Sequence, residues 1–132
     1  MADLLIVDDD MDVADLLGEA LEHRGHDIRI ARDGEEGLRE LSIRIPDLVL
    51  LDVEMPVLGG PEMAYQMFIR DLGLESIPIV LLSGVVDLEN VAARVGTPYF
   101  LGKPYSLNAL FSLCERALAE RTPPRPVVGK SC

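Results

Sequence analysis

The segment Leu48-Val49-Leu50-Leu51-Asp52 decides the fold, because an unbroken apolar run leads directly into a carboxylate. An interior strand of a parallel sheet is covered on both faces and is therefore apolar throughout, whereas a strand with one wet face alternates. Three further segments share this design: Leu4-Leu5-Ile6-Val7 before Asp8, Ile79-Val80-Leu81-Leu82 before Ser83, and Tyr99-Phe100-Leu101-Gly102 before Lys103. If these strands are parallel, their polar ends lie together at one edge of a sheet, where open α/β sheets bind ligands.

Strand-like and helix-like segments alternate five times along the chain, which predicts an α/β domain with helices on both faces of a parallel sheet. Strands are expected near residues 3–8, 26–31, 47–52 and 77–82 and after Pro98, and helices near residues 12–24, 33–42, 61–72 and 87–95 and from Ser106 onward. We predict that residues 1–121 form this single domain. Residues 122–132 contain Pro123-Pro124-Arg125-Pro126 and show no periodicity, so they are predicted to form an extended, flexible tail.

Composition limits the classes of protein to which the chain can belong. Its 132 residues can bury a core without disulfides, and its net charge of −11 argues against nucleic acid as a direct ligand. The apolar runs are too short to cross a bilayer, and Met1-Ala2-Asp3 lacks the basic start of a signal peptide, so a cytoplasmic location is expected. Cys114, on an apolar helical face, is predicted to be a reduced core thiol.

The acidic residues at the strand ends predict a metal site. If the first and third strands are neighbours, Asp8 and Asp9 lie beside Asp52, and carboxylates at such short range repel each other unless a cation is present. Lys103 supplies one positive charge, and Mg²⁺ suits the remainder because it takes few carboxylates, keeps waters and accepts phosphoryl oxygens. The run Asp8-Asp9-Asp10 could instead be a solvated turn or a helix cap, but the coincidence with the other strand ends favours the site.

The same residues resemble a known family, the receiver domain of bacterial two-component response regulators, and in particular its stand-alone chemotaxis-type members. The resemblance covers about residues 3–120 and is carried by Asp8-Asp9, Ala31-Arg32-Asp33-Gly34, Asp52-Val53-Glu54-Met55-Pro56 with Gly60, Ser83-Gly84 and Lys103-Pro104-Tyr105. It implies a flavodoxin-like, doubly wound, five-stranded parallel sheet with strand order 2-1-3-4-5.

The resemblance also implies a role for each site residue. Asp52 would be the phosphoacceptor, with Lys103 and Ser83 binding phosphoryl oxygens. Asp9 would ligate Mg²⁺ directly, Asp8 through a metal water, and Asp52 and the backbone carbonyl of Glu54 would complete the protein ligands. Ser83 and the aromatic residue Phe100 would form the switch that responds to phosphorylation. Phe100 could instead be a plain core residue.

The implied partners are proteins. The phosphoryl donor would be a sensor histidine kinase or a histidine phosphotransfer protein. A downstream protein would dock on the face made by the fourth helix, fifth strand and fifth helix, with no contact to nucleic acid or membrane. The chain is therefore expected to act as a signalling module that catalyses only its own phosphorylation and dephosphorylation, and not as an enzyme for other substrates.

Two alternative functions remain open at this point. A pseudo-receiver would bind its partner regardless of phosphate. A haloacid-dehalogenase-type phosphatase would use Asp8 as the nucleophile together with Asp10, although this leaves Asp52 without a role.

Two features depart from the family pattern. The extra carboxylate of Glu54 is expected to raise metal dependence and to alter the lifetime of the acyl phosphate. Val85-Val86 is unexpectedly apolar, and it could be part of a docking patch or of the core.

Overall fold

The computed structural model describes residues 2–55, 57–70, 72–84 and 87–126. Within these residues the strands are β1 (Asp3–Val7), β2 (Asp27–Ala31), β3 (Leu48–Asp52), β4 (Ile79–Ser83) and β5 (Tyr99–Gly102). The α-helices are α1 (Met11–Glu22), α2 (Gly34–Ile43), α3 (Gly60–Ile69), α4 (Leu88–Val95) and α5 (Leu107–Glu120). The strands form one parallel sheet in the order β2-β1-β3-β4-β5, which confirms the predicted flavodoxin-like architecture.

The two faces of the sheet are covered by different helices, and each face has its own apolar core. β3 and β4 are buried at every position, as expected for unbroken apolar strands between two helical layers. On one face, Leu4, Ile6, Leu48, Leu50, Val80 and Leu82 pack with residues of α1 and α5. On the other face, Leu5, Val7, Val49, Leu51, Ile79 and Leu81 pack with residues of α2, α3 and α4. In the part of the chain that the structure describes, no helix is long and apolar enough to span a membrane.

Side-chain caps fix the starts of three helices. At the starts of α2 and α5, Asp33 accepts a hydrogen bond from the Glu36 backbone N–H at 2.8 Å, and Ser106 accepts one from the Ala109 backbone N–H at 3.1 Å. Asp10 caps α1 in the same way. The third aspartate of the acidic run is therefore a helix cap, which is the structural alternative that the sequence left open.

The predicted extent of α3 is wrong at its C-terminal end. The helix ends at Ile69, and not near Leu72. Gly73 adopts a left-handed conformation (φ 88°), and a 3₁₀ turn over Leu74–Ser76 follows it and buries Leu74. Burying this leucine turns the chain back toward β4, so the helical pattern cannot continue. The apolar pair Val85-Val86 lies outside the described residues.

Two glycines bring the loop after β3 against the starts of α2 and α3. The Gly34 N–H donates to the Leu58 carbonyl at 2.9 Å, and the Gly60 N–H donates to the Val53 carbonyl at 3.0 Å. A Cβ on Gly34 would lie 2.5 Å from the Leu58 carbonyl oxygen, and one on Gly60 would lie 2.5 Å from the carbonyl oxygen of Asp52. Only glycine permits these backbone contacts, which hold the loop in place.

The start of β1 and the end of α5 meet at the edge of the sheet opposite to Asp52. Asp3 and Asp47 are joined by two hydrogen bonds, one from each backbone N–H, at 2.9 and 2.6 Å. The Arg121 guanidinium lies 3.3 Å from the Asp47 carboxylate. Both ends of the folded domain are therefore at the edge where the strands begin.

Residues 122–126 form neither helix nor strand, as expected, but they lie against the domain. Pro124 is buried, and the Arg125 N–H donates to the Gly96 carbonyl at 3.0 Å. The sequence carried no indication of this contact. The flexibility of residues 122–132 stays a prediction, and residues 127–132 lie outside the described residues.

Candidate functional site

Three carboxylates converge at the edge of the sheet where the strands end. Asp8 follows β1 and Asp52 ends β3, and these neighbouring strands pair Val7 with Leu51. One carboxylate oxygen from each of Asp8, Asp9 and Asp52 lies within 4.8 Å of the other two. Asp8 and Asp52 are 2% and 7% exposed, whereas Asp9 is exposed. The structure thus brings together the acidic residues that the strand-end pattern singled out.

Lys103 is the cation that faces this acidic cluster, which consists of Asp8, Asp9 and Asp52. Its Nζ lies 3.8 Å from Asp8 Oδ2 and 4.0 Å from Asp52 Oδ1. Its backbone N–H donates to the Ser83 carbonyl at 2.9 Å, so the pairing of β4 with β5 continues up to the lysine and positions it. One ammonium group opposes three carboxylates, and negative charge therefore remains in excess at this edge.

The excess of negative charge and the burial raise the pKa values of two of the carboxyl groups. Burial, followed by the charge of Asp8, raises the pKa of Asp52 from an ordinary 3.8 to about 6, and Lys103 opposes the shift. Burial also raises the pKa of Asp8, against the opposing effects of the Asp10 backbone N–H and Lys103. Burial in the fold thus disfavours the ionised form of both carboxyl groups, and a bound cation would favour it.

The donor set fits a hard divalent cation such as Mg²⁺. One carboxylate oxygen from each of the three residues lies within 4.8 Å of the other two, close enough for one ion and its waters to connect them, and the exposed Asp9 leaves the cluster open to water. Asp8 Oδ1 accepts a hydrogen bond from the Asp10 N–H at 2.9 Å, which fixes the orientation of this carboxylate. Glu54 lies in the loop after β3 with its side chain exposed, and the ligand role of its carbonyl oxygen stays a prediction.

The two predicted switch residues lie on β4 and β5. Ser83 is the last residue of β4 and is 1% exposed, on the strand next to that of Asp52. Phe100 is half-buried and packs against the core beneath α4. It also lines a cavity of about 470 Å³ whose other walls include Asp87 and Leu88, at the start of α4. The aromatic ring therefore lies between core and cavity, and its switch role stays a prediction.

Tyr105 lies near the site, although the sequence pattern did not predict a role for it. It is half-buried, and its pKa is raised to about 12 by burial and by the charges of Asp8 and Asp52. In the sequence, its position two residues after Lys103 was the feature that could have placed it near the site. The phenol is therefore uncharged at neutral pH and lies near the acidic cluster.

Asp10 does not join the cluster. Its carboxylate accepts the hydrogen bond from the Val13 N–H at 3.3 Å that caps α1. A phosphatase that uses Asp8 with Asp10 would need that second carboxylate for proton transfer. The structure therefore favours the cluster built on Asp52 over the cluster that such a phosphatase needs.

The comparison with known proteins agrees with this geometry. Residues 4–115 match the family described as the response regulator receiver domain. The chain belongs to this family. The predicted resemblance is thus confirmed, and the strand order and the acidic strand ends of this receiver domain are those expected from it.

Relatives and solved structures give the same result. The receiver domain is 36% identical over 133 residues to the response regulator MprA of Mycolicibacterium vanbaalenii, covering 97% of this chain and 54% of the relative. It is 32% identical over 145 residues to the nitrogen assimilation regulatory protein NtrX of Azorhizobium caulinodans, covering 98% of this chain and 31% of the relative. A putative response regulator from Chloroflexus aurantiacus superimposes with a TM-score of 0.83 at 30% identity, covering 89% of this chain and 98% of that one. The chain thus spans 54% or less of the length of these two relatives.

Proposed function

We propose that this receiver domain accepts a phosphoryl group on Asp52 from a phosphohistidine of a sensor histidine kinase or a histidine phosphotransfer protein. One observation carries the proposal: Asp52 is the buried carboxylate that ends an interior strand within reach of both an acidic pair and an ammonium group. The family assignment supports it, because receiver domains are the parts of response regulators that are phosphorylated.

The transfer needs little beyond alignment and charge neutralisation. An Asp52 carboxylate oxygen attacks the phosphorus, the P–O bond of the acyl phosphate forms, and the P–N bond to the donor imidazole breaks. With a pKa of about 6, Asp52 is largely ionised at neutral pH and can act as the nucleophile. The Lys103 ammonium, 4.0 Å from Asp52 Oδ1, is close enough to pair with a transferred phosphoryl oxygen.

The acidic cluster would hold Mg²⁺ through Asp9 directly, Asp8 through a water, and Asp52 with the Glu54 carbonyl. When bound there, the ion supplies positive charge to the phosphoryl oxygens and offsets the repulsion among the carboxylates. Asp8 serves this purpose with a fixed carboxylate, since the Asp10 N–H donates a hydrogen bond to one of its oxygens.

Phosphorylation would be read out through Ser83 and Phe100. A phosphoryl group adds nearly two negative charges and new acceptor oxygens at the end of β3. The hydroxyl of Ser83, on the adjacent strand, would donate to one of these oxygens, and Phe100 would turn inward beneath α4. The result would be a shift in the populations of the conformations of the face formed by α4, β5 and α5, where a downstream protein would dock.

We further propose that the domain signals through protein contacts alone and has no catalytic activity on other substrates. The net charge of −11 supports this view, because it disfavours direct contact with nucleic acid.

The test is phosphorylation by acetyl phosphate with Mg²⁺, followed by intact-mass spectrometry. The wild-type protein is expected to gain about 80 Da, the mass of one phosphoryl group, and the Asp52→Asn variant should not gain it. Asp12→Asn, an exposed change in the first turn of α1, is the matched control and should be modified normally. If Asp52→Asn gains the same mass, Asp52 is not the acceptor. If the wild-type protein is not modified even by phosphohistidine donors, the pseudo-receiver alternative is correct.

A further inference from the structure

The segment after α5 turns back onto the domain. Arg121, directly after α5, has a left-handed backbone (φ 54°) that reverses the chain direction. The Thr122 N–H then donates to the Tyr99 hydroxyl at 3.3 Å, and this hydroxyl donates to the Glu120 carboxylate at 3.0 Å. Tyr99, the first residue of β5, is fully buried. Its hydroxyl therefore links the end of α5 to the start of β5.

Residues 122–126, which we call the strap, then reach the end of α4. The Arg125 N–H donates to the Gly96 carbonyl at 3.0 Å, and Pro124 is buried beside this contact. Gly96 ends α4 with a left-handed backbone (φ 79°), and a Cβ at this position would collide with the backbone of Arg125. Pro126 continues into a cavity of about 380 Å³ between α3 and α4, lined also by Tyr65 and Val95.

The two ends of α4 are held differently. At its C-terminal end, the Gly96 and Thr97 N–H groups both donate to the Ala92 carbonyl, and the strap bonds to the Gly96 carbonyl. At its N-terminal end, the capping residue Asp87 makes no side-chain hydrogen bond to the helix backbone among the described residues. That end borders the cavity beside Phe100. The strap thus holds α4 at the edge of the sheet remote from Asp52, whereas the end near Asp52 is held by the buried Leu88 and by a hydrogen bond of 2.7 Å from the Asn90 amide to the Asp87 carboxylate.

We propose that the strap is a fixed pivot for α4. It joins the C-terminal end of α4 to β5 and α5, so that movement of α4 is concentrated at its N-terminal end. The pinning itself does not depend on phosphorylation. Its regulatory use rests on the proposed function, because the N-terminal end of α4 is the end that a switch at Ser83 and Phe100 would move.

The first test removes the strap hydrogen bond in the full-length chain. Arg125→Pro deletes the N–H that donates to Gly96, whereas the control Arg125→Ala keeps it. Amide hydrogen exchange of residues 91–97 should become about tenfold faster in Arg125→Pro and stay unchanged in Arg125→Ala, while exchange in α1 is unaffected in both. Equal exchange in the two variants would refute the pivot.

A second pair of variants tests the same contact from the helix side. Gly96→Ala and Gly73→Ala both place a side chain on a left-handed backbone, at φ 79° and 88°, but a Cβ on Gly73 has no atom within 4 Å. Both should lose stability from backbone strain. Only Gly96→Ala should also speed exchange of the Tyr99 and Arg125 amides. If the two variants behave alike in these amides, the strap does not hold α4.

The two proposals can fail separately. If acetyl phosphate does not modify Asp52 but the Arg125→Pro effect on exchange is present, the strap stands and the phosphoacceptor function falls. If Asp52 is modified but the amide hydrogen exchange of α4 is the same in Arg125→Pro and Arg125→Ala, the phosphoacceptor function stands and the strap proposal falls.

Discussion

At the scale of single residues, the charge of Asp52 destabilises the folded state when no cation is bound. Its pKa is about 6 in the folded protein and 3.8 ordinarily, so the folded state prefers the protonated acid. The contribution of this group to stability is complete below pH 3.8 and is lost as the pH rises through 6. Without a cation, the folded protein therefore becomes less stable between these pH values.

This predicts that Asp52→Asn stabilises the metal-free protein at neutral pH. The amide cannot ionise, so the free energy of unfolding at pH 7.5 in EDTA should exceed that of the wild type by about 1–3 kcal/mol. The difference should disappear near pH 4. Urea denaturation at both pH values measures it, with Asp12→Asn as the control that should show no such gain. A variant that is no more stable at pH 7.5 than the wild type would contradict the assigned cause.

Val57 is a second residue at which the local conformation is costly. Its backbone is left-handed (φ 67°), which is unfavourable for a β-branched side chain, and its side chain is 75% exposed and so gains little from packing. Val57→Asn should raise the free energy of unfolding by about 1 kcal/mol, since asparagine tolerates this conformation. Ile45→Asn, at an exposed loop position without a positive φ, should give no gain in the same urea titration. Equal effects would show that polarity, and not conformation, is responsible.

At the scale of elements, two glycines in α2 differ in what an added side chain would contact, which is backbone at Gly34 and a side chain at Gly37. A Cβ on Gly34 would meet the rigid carbonyl of Leu58, whereas one on Gly37 would meet the flexible end of Met63 at 2.8 Å. Gly34→Ala should therefore cost about 2 kcal/mol or more. Gly37→Ala should cost clearly less, because Met63 can move and alanine favours the helix by about 1 kcal/mol. Thermal and urea unfolding measure both; a larger loss in Gly37→Ala would contradict the packing described here.

The sequence predicted the elements well where one physical signal dominated. The apolar strands that end in Asp52 and Ser83 are buried and parallel, and α2 and α5 begin directly after Asp33 and Ser106, where helices were predicted to begin. The end of α3 could not be predicted, because its apolar pattern continues to Leu72 while the turn at Gly73 depends on the burial of Leu74 in the core of the domain. The order of the strands came from the resemblance, since local periodicity does not determine which strands are neighbours.

At the scale of the whole molecule, excess negative charge should make stability depend on Mg²⁺. With the ion at ten times its dissociation constant, the free energy of unfolding should rise by about 1.4 kcal/mol. Choline chloride at equal ionic strength controls for screening of the net charge of −11. Asp9→Asn should lose most of the magnesium-specific gain, as measured by thermal unfolding with and without EDTA. An equal gain from both salts would exclude a specific site.

The strap shows what composition alone could not predict at this scale. A proline-rich segment without periodicity indicates an extended chain, but it does not indicate which surface the chain lies against. The burial of Pro124 depends on the left-handed glycine that ends α4, 28 positions earlier in the sequence.

The meeting of β1 and α5 through Asp3, Asp47 and Arg121 has a practical consequence. The acidic cluster lies at the opposite edge of the sheet from the start of β1, and α5 ends close to the start of β1. The protein can therefore be immobilised through its N-terminus on a sensor chip, or fused there to a fluorescent reporter, with the carboxylates still facing the solution. Neither tether would obstruct an approaching imidazole.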